Sequence, residues 1–598
     1  MENKLNDYEY STIKFPELKG KVALPKYQRN VVWKFNQKQE FIESVRKGYP
    51  FGIILLYKNK KTNKYEIIDG LQRYSTLCNF QKERKQYLPK NFLDEIIIQL
   101  KDSYGELHEE ALDMDAIENF KDQVYETFNV CSDKDKYVES LFSRLSCYEK
   151  KYCKDDDLRA ICEMVFDEFD NYLNIEDLNI PILIYKGDES NLPTIFEKIN
   201  TTGTKLSSFD VYAAMWSKYT YTIRDYDILN EVEARYLDII KNANLDISNF
   251  EEDDIKSSQK INLYEYCYAF SKYLCSKSKI IPKKGDSTIG FYLMHACLGG
   301  DMTKINQLPS LLIKYDFPDE PDIFNSSMME LKQKILDTIL SVERIFSKYF
   351  KLEKLDSFIY NEYQFITIIA TAFKLKYKKV DGLKVLKYEK NYKNEELYKS
   401  FERNLPFVYF YEQIDGYWNG NFCSFINDNL NRPLSNNQYC KKVIKGNMEN
   451  ALNEWLKKEK EKETLTAISS KTKLFMVFLA NLRKASSSND LVIDFIIPKK
   501  ILQENGITRV SATANVGIFP KFKERNRMTY LDYNPYANEI FLNCFLYPSS
   551  DDLDFVKKQL TLGTYKSFCD KRIALLKSTF LDYVSKNNNE NFSVDNYE

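Results

Sequence analysis

The chain reads as a multi-domain α+β protein, and three observations point there. At 598 residues it is too long for one hydrophobic core. Before residue 80, short β-branched runs alternate with amphipathic stretches. From about 210 to 480 the apolar spacing is helical, and short strands reappear after 490.

Taken in order, Val22-Ala23-Leu24-Pro25 is an extended run leading into Tyr27-Gln28-Arg29 and Trp33. Asn36 has the chemistry of an N-cap, with Gln39 as its capping-box partner. Phe41, Ile42 and Val45 form one apolar helix face, which Gly48-Tyr49-Pro50 terminates. Phe51 to Tyr57 predicts a buried strand, Lys58 to Lys64 a turn, and Lys64 to Ile68 a second strand. A helix follows Gly70. Residues 81–175 are charged and mostly helical in pattern, an insertion before the strand Asn179–Tyr185. Ile195 to Leu206 reads as a helix and a glycine turn, after which Ser207 or Ser208 opens a new helix with Asp210 close behind. Met328 to Phe350 is helical, Ser486 to Asp490 a loop, Leu491 to Pro498 a strand, and the tail from Asn587 polar. The implied domains are 1–225, 226–480 and 481–598.

Composition narrows the chemistry. The 86 basic and 87 acidic residues leave a net charge of −1, so a nucleic-acid surface has to be a local patch. Twelve cysteines, none in a CxxC pair, predict a reduced, cytoplasmic protein with buried thiols and argue against a zinc cluster. No apolar run approaches the roughly 18 residues needed to span a membrane. Only His108 and His295 exist, which argues against histidine-based triads and metal sites and leaves both as structural residues.

Chemistry concentrates at Ile67-Ile68-Asp69-Gly70-Leu71-Gln72-Arg73-Tyr74, a strand–turn–helix junction. Such a junction presents backbone N–H groups and a positive helix end. Gly70 lets the backbone approach a phosphate, and Arg73 offers a planar fork for phosphate oxygens. Asp69 is suited to a divalent metal or to water, Gln72 to orienting that water, and Arg29 to a second positive charge. The same residues equally describe a plain strand-to-helix turn, with Asp69 as a cap and Arg73 in a surface ion pair. For Thr201 to Lys205 two readings also stand: a polar loop with Asn200 and Lys205 as phosphate contacts, or a helix connection that needs Gly203. Lys521, Lys523, Arg525 and Arg527 surround Phe522 and suit a DNA backbone. Lys374 to Lys379 is a second basic candidate, Lys457 to Lys462 a solvated helix face, and Phe407 to Tyr411 a core segment.

These elements together resemble a known family. Tyr27-Gln28-Arg29 with Trp33, Gly48-Tyr49-Pro50-Phe51-Gly52, and Asp69-Gly70-Leu71-Gln72-Arg73 are similar to the N-terminal domain of GmrSD-type modification-dependent restriction enzymes. Phe196, Asn200, Gly203 and Leu206 match a further element of that family. The family motif is DGQQR, and Leu71 replaces its middle glutamine. The resemblance implies a ParB/sulfiredoxin-like fold and NTP binding and hydrolysis with a divalent cation, Mg²⁺. It places Asp69, Gln72 and Arg73 in catalysis, and Arg29, Gln28, Gly70, Asn200 and Lys205 on the nucleotide. It also implies anti-phage defence, with DNA (modified phage DNA included) as target, nicking by the N-terminal domain, and a partner effector protein. The oligomeric state is left open.

A C-terminal HNH-type nuclease follows in full-length members. Here Asp494-Phe495-Ile496-Ile497-Pro498, Asn515 to Pro520 and Asn526 keep that frame. Phe495 stands where the general-base histidine belongs, and phenylalanine cannot accept a proton. The resemblance therefore implies an inactive or reprogrammed HNH domain, with Asp494 and Asn526 either a remnant metal site or, the favoured reading, retained scaffold geometry. The chain is expected to be an NTP-driven, DNA-targeting defence protein. A non-catalytic sensor of nucleotide or modified DNA that regulates an effector is the alternative, and an enzyme acting on cellular nucleotides a third.

Overall fold

The computed structural model describes residues 7–588 apart from 61, 89–91, 93, 95–120, 123, 129–132, 149–154, 200–206, 252, 283–286, 353–354, 359–360, 419–421, 462–467, 485–490, 508–512, 521–545 and 547–558. The chain is mixed α+β. It divides into two compact units, one of residues 1–218 and 232–264, the other of 219–231 and 265–598. The boundary expected near 480 falls inside the second unit.

The first unit is organised by a five-stranded sheet in the order β1-β5-β3-β4-β2. Its strands are β1 (Tyr8–Lys14), β2 (Val22–Ala23), β3 (Ile54–Lys58), β4 (Tyr65–Asp69) and β5 (Asn179–Tyr185). β1 runs antiparallel to β5 and β3 antiparallel to β4, while β3–β5 and β2–β4 are parallel. Near-continuous apolar runs bury β3 and β4 on both faces, as in Ile54-Leu55-Leu56-Tyr57. On one face Leu55, Tyr57, Ile68 and Tyr185 form a core with Leu192, Phe196 and Ala214, and Tyr27 packs against it. Three short helices open the chain order: α1 (Phe15–Leu18), α2 (Phe35–Arg46) and α3 (Leu71–Lys82). Leu71, Tyr74, Leu77 and Phe80 bury one side of α3, and Tyr74 meets Phe15 with ring centroids 5.7 Å apart.

Two local expectations are corrected. α2 starts before Asn36, because the Gln37 side chain reaches back to accept the Lys34 N–H (2.9 Å), while Gln39 turns to the Gln86 carbonyl (3.3 Å). β3 begins at Ile54 rather than Phe51, because Gly52 has φ +82° and cannot lie in an extended ladder. Other elements fall where the pattern put them. The described part of 81–175 is helical, with α4 (Lys134–Tyr148) and α5 (Asp155–Asp170). After β5 come α6 (Leu192–Ile199) and α7 (Ser208–Met215). Ser207 caps α7 in a reciprocal box with Asp210. The helix α8 (Tyr226–Ala243) contributes its residues from Val232 onward to this unit.

The second unit is helical around an aromatic core. α9 (Pro321–Phe350), α10 (Glu362–Lys376), α11 (Glu395–Asp415), α12 (Lys445–Glu461) and α13 (Ser470–Leu482) are followed by two strands and α14 (Leu562–Asn587). Phe580 of α14 meets Phe410, Phe475 and Phe478 edge-on, at 5.2 to 5.4 Å between centroids. Phe407, Tyr409 and Phe410 are buried, as core rather than a surface cage. The basic run 374–379 is not an open patch. Lys374 donates to the Leu430 carbonyl, Lys376 pairs with Asp337 (2.9 Å) and Lys378 with Glu389 (2.7 Å).

His295 is buried against the Asp301 carbonyl (2.8 Å from Nε2), and burial pushes its pKa below the ordinary 6.5. His108 lies outside the described residues. Among the described residues, Cys78, Cys267, Cys297 and Cys440 are buried thiols outside any disulfide. Among the described residues no helix is long and apolar enough to cross a membrane.

Candidate functional site

The site forms where β4 hands over to α3. Gly70 has φ +96°, and a Cβ there would meet Ile54 atoms at 3.1 to 3.3 Å. A side chain is thus disfavoured by both conformation and space. The Gly70 carbonyl accepts the first helical bond, from the Tyr74 N–H at 2.9 Å. The chain turns sharply from strand to helix, bringing Asp69, Gln72 and Arg73 to one helix end.

Arg73 is seated on three sides. Its Nη2 donates to Asp69 Oδ2 (3.0 Å) and its Nη1 to the Phe51 carbonyl (2.9 Å). A Cβ on Gly52 would lie 2.4 Å from Nη1, so the guanidinium packs directly on that glycine. The Arg73 side chain is 19% exposed and that of Asp69 34%, so the pair faces solvent at one end. This explains what the Gly48-to-Gly52 element contributes: a carbonyl and an empty Cα face for the arginine. The sequence reading assigned no such role, although the second glycine of Gly48-Tyr49-Pro50-Phe51-Gly52 was its signal.

Gln72 and Gln28 have different work. Gln72 Oε1 accepts the backbone N–H of Val32 (2.9 Å) and of Trp33 (3.0 Å). Its side chain is committed to holding the 30–33 segment over the helix end. Gln28 is buried, donates to the Ile67 carbonyl (3.0 Å) and accepts the Arg29 N–H (3.1 Å). Both glutamines are positioning residues in this arrangement. Trp33 and Phe51 each pack on Phe41, at 5.4 and 5.9 Å, which ties the two segments flanking the site together. Asn30, unmarked in the sequence reading, donates to Asp238 (2.5 Å) of α8. A contact across two hundred residues leaves no local signal.

Between these anchors, Arg29 is half-buried and makes no side-chain hydrogen bond or ion pair among the described residues. A held arginine paired with a carboxylate at a helix N-terminus makes a place for an anion. Leu71, in the motif's middle position, is 5% exposed, so its replacement of glutamine is a core choice. Phe196 lies in the core beside Tyr27, their rings 5.7 Å apart. Asn200, Gly203, Lys205 and Leu206 lie outside the described residues. For a divalent ion, no group of three His, Cys, Asp or Glu side chains gathers around Asp69 or elsewhere among the described residues. A metal at Asp69 would need oxygen ligands from the nucleotide itself, as Mg²⁺ commonly takes.

The C-terminal elements also meet. β6 (Leu491–Phe495) pairs antiparallel with β7 (Val516–Pro520), placing Asp494 opposite Gly517 and Phe495 opposite Val516. Buried Asn515 accepts the Ile497 N–H and donates to the Ile497 carbonyl, both at 2.8 Å. One carboxylate oxygen of Asp494 accepts the Phe495 N–H (2.8 Å). Lys521, Lys523, Arg525, Asn526 and Arg527 lie outside the described residues.

The N-terminal part of the chain is similar to known proteins. The family model of the GmrSD restriction endonuclease N-terminal domain matches residues 12–217. An uncharacterized protein of Methanocaldococcus jannaschii is 24% identical over 317 residues, covering 45% of this chain. The match spans 50% of that relative's length. No solved structure matches the chain significantly. The matched span contains β2 to β5 with the end of β1, the Asp69–Arg73 pair and the 28–33 segment, and on that match the chain carries a GmrSD restriction endonuclease N-terminal domain at residues 12–217.

Proposed function

We propose that this protein is a restriction-like, DNA-targeting defence protein whose N-terminal domain binds and hydrolyses an NTP. The observation that carries this reading is the seat of Arg73 on Asp69, Phe51 and Gly52 at the start of α3, with the backbone N–H of Arg29 held by Gln28. Arg29 and Arg73 grip the phosphates, and the N–H groups opening α3 add to them. Asp69, released from Arg73 as the guanidinium turns to phosphate, holds Mg²⁺ or positions the attacking water. Gln72 and Gln28 keep the 28–33 segment in place, and Asn200 and Lys205 complete the nucleotide contacts. The mixed sheet with a helix rising from β4 supports a ParB/sulfiredoxin-like reading of this domain. The β6–β7 ladder supports an HNH-like reading of the C-terminal elements, with Lys521, Lys523, Arg525 and Arg527 on the DNA backbone.

The test is NTP hydrolysis by the full chain with Mg²⁺, with and without modified phage DNA, comparing wild type with Arg73→Ala. DNA-stimulated turnover that the variant loses supports the proposal. Absence of turnover under every DNA condition overturns the hydrolytic reading. One observation favours a second reading. With Phe495 where a proton acceptor would stand, no nuclease base is available at Asp494, and any cutting falls to Asp69 or to a partner effector. In that reading the protein is a sensor. Nucleotide binding lost in Arg73→Ala without turnover would establish it, and DNA nicking abolished by Asp69→Ala would exclude it.

A further inference from the structure

β1 lies at one edge of the sheet, paired on one side only. Its register with β5 runs from Tyr8 opposite Tyr185 to Lys14 opposite Asn179. Just outside the strand, the Asp7 carbonyl accepts the Lys186 N–H (2.7 Å) and the Phe15 N–H reaches the Leu178 carbonyl (2.9 Å). Bonded pairs alternate in an antiparallel ladder. Glu9, Ser11 and Ile13 therefore bond β5, while Tyr8, Tyr10, Thr12 and Lys14 aim N–H and C=O away from it. Pro181 of β5 sits opposite Thr12, a non-bonded position, so its missing N–H breaks no β1 bond. Among the described residues nothing pairs with the outward backbone groups.

The edge carries charge at Glu9, paired with Lys186, and at Lys14, paired with Asp177, but no backbone protection. Tyr8 to Lys14 contains no proline, glycine or bulge, and Tyr8 and Tyr10 are 46% and 64% exposed. A row of tyrosines runs across the sheet toward it: Tyr57 to Tyr185 at 6.2 Å, then Tyr185 to Tyr8 at 5.2 Å. Such an edge is a template for another strand.

We propose that β1 pairs antiparallel with β1 of a second copy of this chain, about a two-fold axis at Ser11. The sequence Tyr8-Glu9-Tyr10-Ser11-Thr12-Ile13-Lys14 is self-complementary in that register. Tyr10 opposes the partner's Thr12, and Tyr8 opposes the partner's Lys14. Every outward N–H and C=O of the four even positions finds a bond. Residue parity is satisfied, because a two-fold axis normal to the sheet keeps like faces together. Glu9 opposes the partner's Ile13, so no like charges meet, and the ammonium of Lys14 comes beside the Tyr8 ring. Lys14 now pairs with Asp177 (3.0 Å), with exposures of 51% and 69%, and such an exposed pair is cheaply exchanged. The two copies form one continuous ten-stranded sheet.

Sedimentation equilibrium of the full chain tests this, comparing wild type with Thr12→Pro. The proline removes only an outward N–H and fits edge-strand backbone, so the β1–β5 ladder stays. Wild type should sediment as a dimer of the 70.7 kDa chain, and Thr12→Pro should weaken the dimer roughly a hundredfold. Ser11→Cys supplies a second readout that does not depend on Thr12→Pro folding. Across the axis its Cα atoms come to about 4.5 Å, within disulfide range. Mild oxidation should link that variant into a covalent dimer while wild type, with its own cysteines, stays unlinked. A wild type that is monomeric at every concentration overturns the proposal. So does a dimer that Thr12→Pro leaves intact, or a Ser11→Cys variant that does not cross-link.

Discussion

Two carboxylates, one in each unit, show what separates a site from a scaffold. Asp69 is about one-third exposed, faces a cation, and keeps one oxygen without a bond among the described residues. Glu412 of α11 is 3% exposed, faces no cation and is saturated. Its Oε2 accepts from Gln364 Nε2 (2.6 Å), Trp418 Nε1 (2.9 Å) and the Tyr439 hydroxyl (3.0 Å), and its Oε1 from Gln438. Neutral donors replace water without supplying charge, so burial dominates and lifts the Glu412 pKa to about 7. Glu412 has every bond it can take and ties α10, α11 and the 438–440 turn together. Asp69 has spare capacity and a partner that can leave. Perturbation marks the first, whereas unfinished coordination marks the second, and only unfinished coordination invites a ligand.

If that contrast is right, the largest effect belongs to the sealed group. Glu412→Ala strands three buried donors and a half-buried one, at about 1 to 3 kcal/mol for each that finds no substitute. We expect about 4 kcal/mol of lost stability in chemical denaturation, and a loss under about 1 kcal/mol would break the comparison. Next comes Glu412→Gln, read against pH. The folded pKa near 7 lies above the ordinary 4.5, so the acid is bound more tightly in the fold. Its contribution is fully present below pH 4.5 and is lost as pH rises through 7. Wild type should lose on the order of 3 kcal/mol more than Glu412→Gln across that window. Parallel pH profiles for the two proteins would refute it. Arg73→Ala, in contrast, should leave stability nearly unchanged and lower NTP turnover about a hundredfold, near 2.7 kcal/mol of barrier. A variant that unfolds instead would place Arg73 with Glu412 as scaffold.

Much of the site was legible because its signals are local. Asp69-Gly70 ending a β-branched run announced the turn, and Ser207 with Asp210 announced α7. The strand Asn179–Tyr185 was read to the residue because its apolar run is bounded on both sides. What escaped depended on distance in the chain. Nothing near Glu412 says that Gln364, Trp418 and Tyr439 will enclose it, since each is ordinary in its own segment. β1 escaped because Tyr8-Glu9-Tyr10-Ser11 alternates weakly and only β5, some 170 residues later, makes it a strand. The junction's polar pattern suits Gln72 to orienting water and says nothing of a second task. Its side-chain amide oxygen takes two backbone N–H groups from residues 32 and 33, which the helical spacing could not reveal.

Gly52 and Gln72 sharpen the comparison from the side of the site, where effects are smaller and indirect. In Gly52→Ala the new methyl falls on Nη1 of Arg73, and φ +82° adds roughly 1 kcal/mol of backbone strain. Turnover should drop about tenfold, mostly through kcat, because the guanidinium is displaced and not removed. Gln72 separates holding from chemistry. Gln72→Leu removes the acceptor of the Val32 and Trp33 N–H groups, and should loosen the 30–33 segment at about 1 to 3 kcal/mol. Gln72→Glu keeps an oxygen at that place and should retain the segment and most of the turnover. It replaces the long donation to the Asn30 carbonyl, at 3.4 Å, by a carboxylate oxygen facing that carbonyl, a repulsion offset by stronger acceptance of the Val32 and Trp33 N–H groups. Rescue by glutamate and not by leucine would mean that this side chain orders protein backbone. Equal loss in both would mean that its amide touches the reacting groups, and Gln72 would then join Asp69 on the unfinished side of the comparison.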